Sequence, residues 1–348
     1  MTRSRREYLI ALGAAGTVVI AGCYKTVIRP SLIEQWTFEE GPSIRSSPVV
    51  ADGTIYLGTD MGYVFAVDAA TGEQQWSSQM GSSVSRLRSP AVADGIVYLG
   101  STNRNLYALD AESGEQAWTF EADEGVYSPT VVDGTVYAAS ADHNLYAIDA
   151  ASGEQQWTFE AGDAVITPAI ANGTVYVGSA DHNLYALNVT SGDQQWIFET
   201  DDTVYSPAVA NETVYIGSSD DTLYAVDAAS GDQQWAFEAD DSVTSPTVAN
   251  GTVYVGCSDH NIYAVDARSG GRQWTFKTAD VVSSQPVVSD GTAYVGSWDN
   301  NVYAIDAVSG DRQWSFRTDE RVVASPAVVD GTVYVGSTDG NLYALSDE

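Results

Sequence analysis

Three histidines in this sequence each follow directly after an aspartate. They are His143, His182 and His260. Imidazole nitrogens and carboxylate oxygens are common protein ligands of zinc, so these pairs are the first candidates for metal chemistry. The pairs occupy the same position in different copies of a repeated segment, which places them too far apart to share one ion at ligand distances of about 2 Å. We therefore interpret the histidines as turn residues and predict no metal site.

Two acidic pairs and one cysteine also have chemical potential. Asp201-Asp202 and Asp240-Asp241 offer oxygen ligands for calcium, but a solvated acidic loop is the simpler interpretation. Cys257 stands where other copies of the repeat carry a serine, so we interpret it as a small buried side chain and not as a nucleophile. The sequence therefore predicts no catalytic residue and no bound cofactor.

Four Asn-x-Thr sequences match the acceptor pattern for N-glycosylation. They begin at Asn172, Asn188, Asn211 and Asn250. Three of the four coincide with a predicted hairpin turn, where asparagine is favoured without any sugar. Both interpretations, an acceptor site and a turn residue, stay open.

These groups are positioned by a repeat with a period of about 40 residues. Its clearest marker is a tryptophan, found at Trp36, Trp76, Trp118, Trp157, Trp196, Trp235, Trp274 and Trp314. Each complete copy contains four short runs of strand-forming residues separated by turn sequences, and residues 128–160 are an example. A period of this length with four strands per unit is typical of a β-propeller blade.

The two ends of the repeat complement one another. The first tryptophan strand, residues 32–38, precedes any other strand of its unit, whereas the last unit stops after Leu345 without one. Joining them leaves no open sheet edge. We therefore predict an all-β fold over residues 32–348: an eight-bladed β-propeller of four-stranded antiparallel blades, closed by the N-terminal strand joining the last blade.

The composition is strongly acidic, because 15 Lys and Arg residues face 47 Asp and Glu residues and give a formal net charge of −32. Like charge of this size keeps a protein soluble but repels itself. Lysine is almost absent, so we expect a halophilic, archaeon-like source in which salt screens the repulsion. Phosphate backbones would be repelled as well, and we predict no nucleic-acid partner.

One position of the repeat varies while its neighbours barely change. It lies two residues before the proline that opens each unit, and the series is Ser46, Arg88, Tyr127, Ile166, Tyr205, Thr244, Ser284 and Ala324. Propeller topology puts this position at one mouth of the central channel, on the face that carries the loops between second and third strands.

Several arginines fall on the same face of an otherwise acidic chain. The candidate partner-docking residues there are Arg45, Arg86, Arg88, Arg104, Arg321, Tyr127 and Tyr205. We predict a basic docking sector at this channel mouth. Arginines scattered over the surface without a common function are the alternative.

Residues 1–31 lie outside the repeat, and the first 23 of them match the pattern of an export signal. Arg5-Arg6 precede a short apolar run, the pattern of a twin-arginine (Tat) signal, and the run ends at Cys23 in a sequence that matches a lipobox. We predict a Tat signal peptide with lipobox at 1–23, a tether at 24–31, and lipidation of Cys23. The protein would then be exported and anchored to the outer face of the cytoplasmic membrane. An uncleaved anchor, or cleavage without lipid, is the alternative.

The segment from Ala147 to Trp157 resembles the tryptophan-docking motif of quinoprotein-type (PQQ-like) propellers, and it recurs in the other complete units. The resemblance covers residues 32–348. It implies that each of the eight repeat tryptophans packs against the motif of the neighbouring blade. It also implies that the aspartate and the serine or threonine of the motif fix its turn.

The resemblance leaves two classes of function. Dehydrogenases of this family use PQQ and carry adjacent cysteines, a calcium site and long insertions; this chain departs from that pattern, since Cys23 and Cys257 are far apart and its blades are short. The non-enzymatic, BamB-like lipoprotein branch fits better. It implies a monomeric, membrane-tethered scaffold whose partners are other proteins at the cell surface or membrane. A PQQ-dependent dehydrogenase or other small-ligand enzyme is the alternative.

Overall fold

The computed structural model describes residues 32–39, 41–81 and 85–347, which form 32 β-strands in eight four-stranded sheets. None of these residues forms a helix that is long and apolar enough to cross a membrane. Arg5, Arg6 and Cys23, with the predicted signal peptide and tether, lie outside the described residues.

Each sheet is one blade, and its strands are called A to D from the channel outwards. Blade 1 contains β2 (Val49–Ala51), β3 (Thr54–Gly58), β4 (Tyr63–Asp68) and β5 (Gln74–Gln79). Blade 2 contains β6 (Ala91–Ala93), β7 (Ile96–Gly100), β8 (Asn105–Asp110) and β9 (Gln116–Glu121). Blade 3 contains β10 (Thr130–Val132), β11 (Thr135–Ala139), β12 (Asn144–Asp149) and β13 (Gln155–Glu160). Blade 4 contains β14 (Ala169–Ala171), β15 (Thr174–Gly178), β16 (Asn183–Asn188) and β17 (Gln194–Glu199).

The second half of the ring continues the same pattern. Blade 5 contains β18 (Ala208–Ala210), β19 (Thr213–Gly217), β20 (Thr222–Asp227) and β21 (Gln233–Glu238). Blade 6 contains β22 (Thr247–Ala249), β23 (Thr252–Gly256), β24 (Asn261–Asp266) and β25 (Arg272–Lys277). Blade 7 contains β26 (Val287–Ser289), β27 (Thr292–Gly296), β28 (Asn301–Asp306) and β29 (Arg312–Arg317). Blade 8 contains β30 (Ala327–Val329), β31 (Thr332–Gly336), β32 (Asn341–Asp347) and, as its D strand, β1 (Leu32–Glu39).

The N-terminal strand closes the ring, as the sequence predicts. β1 pairs antiparallel with β32, and Trp36 lies opposite Ala344. Blade 8 then packs on blade 1 through a core cluster that joins Phe38 and Tyr334 to Phe65. The A strands of neighbouring blades contact one another around the channel, including those of blades 8 and 1. The eight-bladed, four-stranded antiparallel architecture is confirmed.

The hairpin turns follow from local sequence. Asp133 and Gly134 link strands A and B of blade 3, with φ of 48° and 74°. Positive φ at both central residues is the type I′ geometry that matches the twist of the flanking strands and that Asp-Gly favours. Register is fixed at once, because Val132 pairs with Thr135 and Thr130 with Tyr137.

One contact between neighbouring blades recurs around the ring and is well seen between blades 2 and 3. The Trp118 Nε1 and the Tyr98 hydroxyl both donate to the Ala150 carbonyl, at 3.0 and 3.2 Å. The Trp118 ring lies on Gly153 (φ 76°), where an added Cβ would meet it at 2.8 Å. Asp149 holds the turn by accepting bonds from the backbone N–H and the hydroxyl of Ser152, at 2.9 and 2.8 Å.

The remaining repeat tryptophans follow this pattern with one exception. Trp36, Trp76, Trp157, Trp196, Trp235 and Trp274 donate to Ala69, Ala111, Val189, Ala228, Ala267 and Ala307. Trp314 faces blade 8, whose C and D strands come from opposite ends of the chain and have no connecting turn. Its buried Nε1 has no hydrogen-bond partner among the described residues.

A second layer of contacts uses a phenylalanine, a tyrosine and an aspartate. The Phe159 ring meets the Tyr185 ring of the next blade edge-on at 5.0 Å. The Tyr185 hydroxyl donates to Asp181 Oδ2 at 2.7 Å, while Asp181 Oδ1 accepts from the backbone of Asn183. Burial and the hydrogen bond to this carboxylate raise the pKa of Tyr185 to about 12. The same causes raise the pKa of Tyr224 to about 12, beside Asp220.

Exchanging Gly153 for alanine tests the tryptophan contact. Gly153→Ala adds a methyl group beneath Trp118, whereas Gly134→Ala meets no atom within 4 Å. Both positions have similar positive φ and therefore similar backbone strain of about 1–2 kcal/mol. We expect Gly153→Ala to cost about 1–3 kcal/mol more than Gly134→Ala, the usual range for overpacking, in denaturant unfolding at constant salt. Equal losses would contradict the proposed role of the glycine.

Alkaline titration tests the tyrosine–aspartate layer. A folded-state pKa of about 12 for Tyr185 and Tyr224, against about 10 in the unfolded chain, gives stability that is fully present below pH 10. It is lost as the pH rises through the folded pKa. The absorbance of tyrosinate should therefore appear at a higher pH in the native protein than in denaturant. Tyr185→Phe should weaken the fall in melting temperature above pH 10; an unchanged profile would contradict the assignment.

Candidate functional site at the channel mouth

One face of the ring is built from two kinds of segment, the B–C loops and the crossovers that lead from strand D of one blade to strand A of the next. A backbone hydrogen bond ties them together in every blade, for example Thr102 N–H to Arg86 O at 3.0 Å. The crossover partners are Ser43, Arg86, Gly125, Ala164, Thr203, Ser242, Val281 and Arg321. The loop partners are Asp60, Thr102, Ala141, Ala180, Ser219, Ser258, Trp298 and Thr338.

Three of the eight crossovers contain one extra residue between their buried apolar residue and the proline, which corrects the variable series predicted above. In each crossover, the backbone N–H of a buried apolar residue donates to a carbonyl in the B–C loop of the preceding blade. This residue lies three positions before the proline in the regular crossovers, as at Val126, but four positions before it at Ile44. Val282 and Val322 share the longer spacing. The residue two before proline is therefore buried in these crossovers, as at Ser46, whose Oγ bonds Gly58 O at 2.6 Å.

The accessible residue in each longer crossover is the inserted one. These residues are Arg45, Ser283 and Val323. Ser46, Ser284 and Ala324 thus belong to the wall and not to the mouth. The prediction that the residue two positions before the proline lies at the mouth was wrong in these three crossovers. The inserted residue shifts that position into the buried wall.

Asp60 joins two of the predicted arginines. Its Oδ2 lies 2.9 Å from Arg45 Nε, and its Oδ1 lies 2.9 Å from Arg86 Nε. The arginine side chains are 43% exposed and the aspartate side chain 21%. The carboxylate therefore bridges the crossovers that enter blades 1 and 2, and it fixes two positive charges at the mouth.

Arg88 lies beside this bridge. Its guanidinium carbon sits 4.9 Å from the centre of the Tyr127 ring, a cation–π distance. Its Nε is buried and has no hydrogen-bond partner among the described residues. Burial lowers the pKa of Arg88 from its usual value, although an arginine remains charged at neutral pH.

Arg321 forms a second aromatic contact across the sector. Its guanidinium carbon lies 4.5 Å from the centre of the Trp298 ring, and the Trp298 Nε1 donates to Ser283 Oγ at 2.7 Å. A cleft of about 490 Å³ separates Arg321 from Arg45. Its remaining lining residues are Ser43, Asp60, Asn300, Asp319, Glu320 and Thr338.

Two predicted docking residues lie apart from this group. Arg104 points outwards to Glu121 at the end of a D strand, with 3.1 Å between Nη2 and Oε1. The Tyr205 hydroxyl bonds Ser219 Oγ at 2.9 Å on another part of the mouth. The structure thus brings Arg45, Arg86, Arg88 and Tyr127 together, places Arg321 across the cleft, and leaves Arg104 and Tyr205 separate.

Sequence reasoning missed Asp60 and Trp298. Both occupy the loop position at which the other copies carry only threonine, alanine or serine. An acidic and a large aromatic side chain at that position were a detectable signal. Their partners lie on the neighbouring crossovers, and the repeat pattern does not show which crossover lies beside which loop.

The other candidate groups have local structural roles. His143, His182 and His260 adopt φ of 73–74° in B–C turns, and the described residues contain no group of three or more His, Cys, Asp or Glu side chains that could hold a metal. Cys257 is fully buried, its Sγ donates to Asp241 O at 3.0 Å, and burial raises its thiol pKa to about 12. Asn172, Asn211 and Asn250 have positive φ in exposed A–B turns.

Comparisons with known proteins identify the family. No curated protein matches the chain. Solved structures with a similar fold include the computationally designed Ika8 protein (15% identity, TM-score 0.83, 90% of this chain and 99% of that chain). BamB from Moraxella catarrhalis (17%, 0.78, 91% and 100%) and quinohemoprotein alcohol dehydrogenase from Comamonas testosteroni (15%, 0.77, 90% and 76%) are also similar.

At these identities the solved structures establish the shared fold alone. The family model described as "Outer membrane protein assembly factor BamB" matches residues 33–126, 60–255, 200–280 and 258–348, which together span the propeller. The chain therefore belongs to the family that this model describes.

Proposed function

We propose that the chain is an exported, membrane-tethered and non-enzymatic propeller that acts as a protein-interaction scaffold through its channel mouth. The observation that carries this proposal is the concentration of Arg45, Arg86, Arg88 and Arg321 around one sector of the mouth in a chain of net charge −32. Charge complementarity of this kind steers a partner and fixes its orientation.

Family membership supports the scaffold role. The family description names an assembly factor for outer-membrane proteins, and from it we take a role in binding other proteins and not a particular pathway. The likeness to quinohemoprotein alcohol dehydrogenase concerns the fold alone at 15% identity. It assigns no catalytic role to any residue of this chain.

The strand order supports an orientation relative to the membrane. Leu32, the first residue of β1, pairs with Asp347 at the end of β32, on the face opposite to the B–C loops. A lipid on Cys23 would be joined to this far face by residues 24–31, which reach at most about 26–29 Å when extended. The mouth would then face away from the membrane and be open to partners.

Site-specific photo-crosslinking tests the docking face. A benzophenone amino acid at Thr338, which lines the mouth cleft, should give a discrete protein adduct in membranes of producing cells. The matched control is Val308, which is 85% exposed in a C–D turn of the opposite face. Adducts from Val308 alone, or none from Thr338, would overturn the proposal.

Exchange of Cys23 tests the tether. Cys23→Ser should remove the thiol that carries the lipid, so the protein should appear in the medium or accumulate as unprocessed precursor. Fractionation with intact-mass measurement distinguishes these products from wild type. Retention in the membrane with unchanged mass would exclude the lipid anchor and leave the docking proposal untouched.

A further inference from the structure

Positive charge exceeds negative charge at one place in the mouth, formed by Arg45, Arg86 and Arg88 and called here the arginine triad. Arg45 and Arg86 share the carboxylate of Asp60. Among the described residues, no second carboxylate lies within ion-pair distance of the triad. Three guanidinium groups therefore face one carboxylate in a chain of net charge −32.

Arg88 is the least compensated member of the triad. Its guanidinium lies over the Tyr127 ring. Its Nε is buried and has no hydrogen-bond partner among the described residues. A partly desolvated cation without a counter-ion is unfavourable. A carboxylate that reaches the guanidinium would form a charge-assisted hydrogen bond, which is stronger than a neutral one. The charge of Asp60 acts on Arg88, but no carboxylate of the described residues lies within ion-pair distance of its guanidinium.

The surroundings select the chemical class of the partner. The cleft beside the triad has Arg45 and Arg321 on its lining, but also Asp319 and Glu320. Polyanions such as nucleic acids and anionic membrane surfaces are repelled by these two carboxylates and by the net negative charge of the whole chain. A polypeptide segment matches both signs of charge when it carries acidic side chains opposite the arginines and amide or basic side chains opposite Asp319 and Glu320.

We propose that the arginine triad binds the side-chain carboxylate of an acidic segment in a protein partner. This inference rests on the scaffold function proposed above and specifies the chemistry of its partner. The planar guanidinium groups orient this carboxylate through paired N–H donors. The Tyr127 and Trp298 rings at the two ends of the sector hold Arg88 and Arg321 in place.

Matched peptides provide the test on the full-length protein. The probe is a fluorescein-labelled glycine–serine peptide that carries several glutamates separated by asparagines, and its control carries glutamines in place of the glutamates. Fluorescence anisotropy at one fixed salt concentration should show tighter binding of the glutamate peptide. Arg88→Gln and Arg86→Gln should each weaken it by about three- to tenfold, the range for one partly desolvated charge-assisted contact.

Arg104→Gln is the matched control, because it removes one positive charge from the same face at a residue that is paired outwards with Glu121. Its affinity for the glutamate peptide should equal that of wild type, and every variant should still unfold in one cooperative transition. Equal binding of the two peptides, or equal losses in Arg104→Gln and Arg88→Gln, would overturn the inference. So would Arg88-dependent binding of phosphatidylglycerol vesicles without binding of the peptide.

The two proposals fail in different ways. A crosslinked adduct at Thr338 together with indifference to glutamate would preserve the docking face and remove the carboxylate site. Loss of the adduct would remove the docking face itself.

Discussion

The packing of one tryptophan on a glycine of the next blade is the contact on which the rest of the structure depends. It combines a large buried ring, a Nε1 donor and a backbone carbonyl that in most blades also accepts a tyrosine hydroxyl. Because an aromatic ring buries much area while its polar atom demands an acceptor, the contact fixes both distance and orientation. This repeated contact gives successive blades the same relative orientation at seven of the eight steps described, the exception being Trp314.

The location of this contact leaves the mouth free to vary. The tryptophans lie on the outer D strands and pack on C–D turns, such as that at Gly153, which belong to the face opposite to the B–C loops. Backbone bonds such as Thr102 N–H to Arg86 O hold the loops whatever their side chains are. We therefore expect substitutions of exposed side chains at the mouth to cost little stability. The unusual side chains of the chain, among them Asp60 and Trp298, collect there.

Blades 1 and 2 deviate from the repeat at several positions. Blade 1 carries Ser78 where other D strands have phenylalanine, and Met80 enters the core between blades 1 and 2 instead. In the loop of blade 2, Asn103 replaces aspartate and bonds the Tyr107 hydroxyl at 2.7 Å. The longer crossovers add bonds between blades, as from Ser47 N–H to Ser89 Oγ at 2.8 Å. Irregular packing between the blades and a polar, charged mouth sector thus occur in the same part of the ring.

The sequence by itself determined the all-β class, the eight blades and the closure by β1, because periodicity and turn chemistry are local signals repeated many times. It also pointed to the face on which the arginines lie. Tertiary structure alone decided that Asp60 bridges Arg45 and Arg86, that Arg88 lies on Tyr127, and that Arg104 turns outwards to Glu121. These contacts join different blades or different loops. A single inserted residue reverses which side chain faces the mouth. The tryptophan spacing records the insertion, since Trp36 to Trp76 and Trp274 to Trp314 are 40 residues apart where the regular repeat has 39, but only the structure shows where in the crossover it lies.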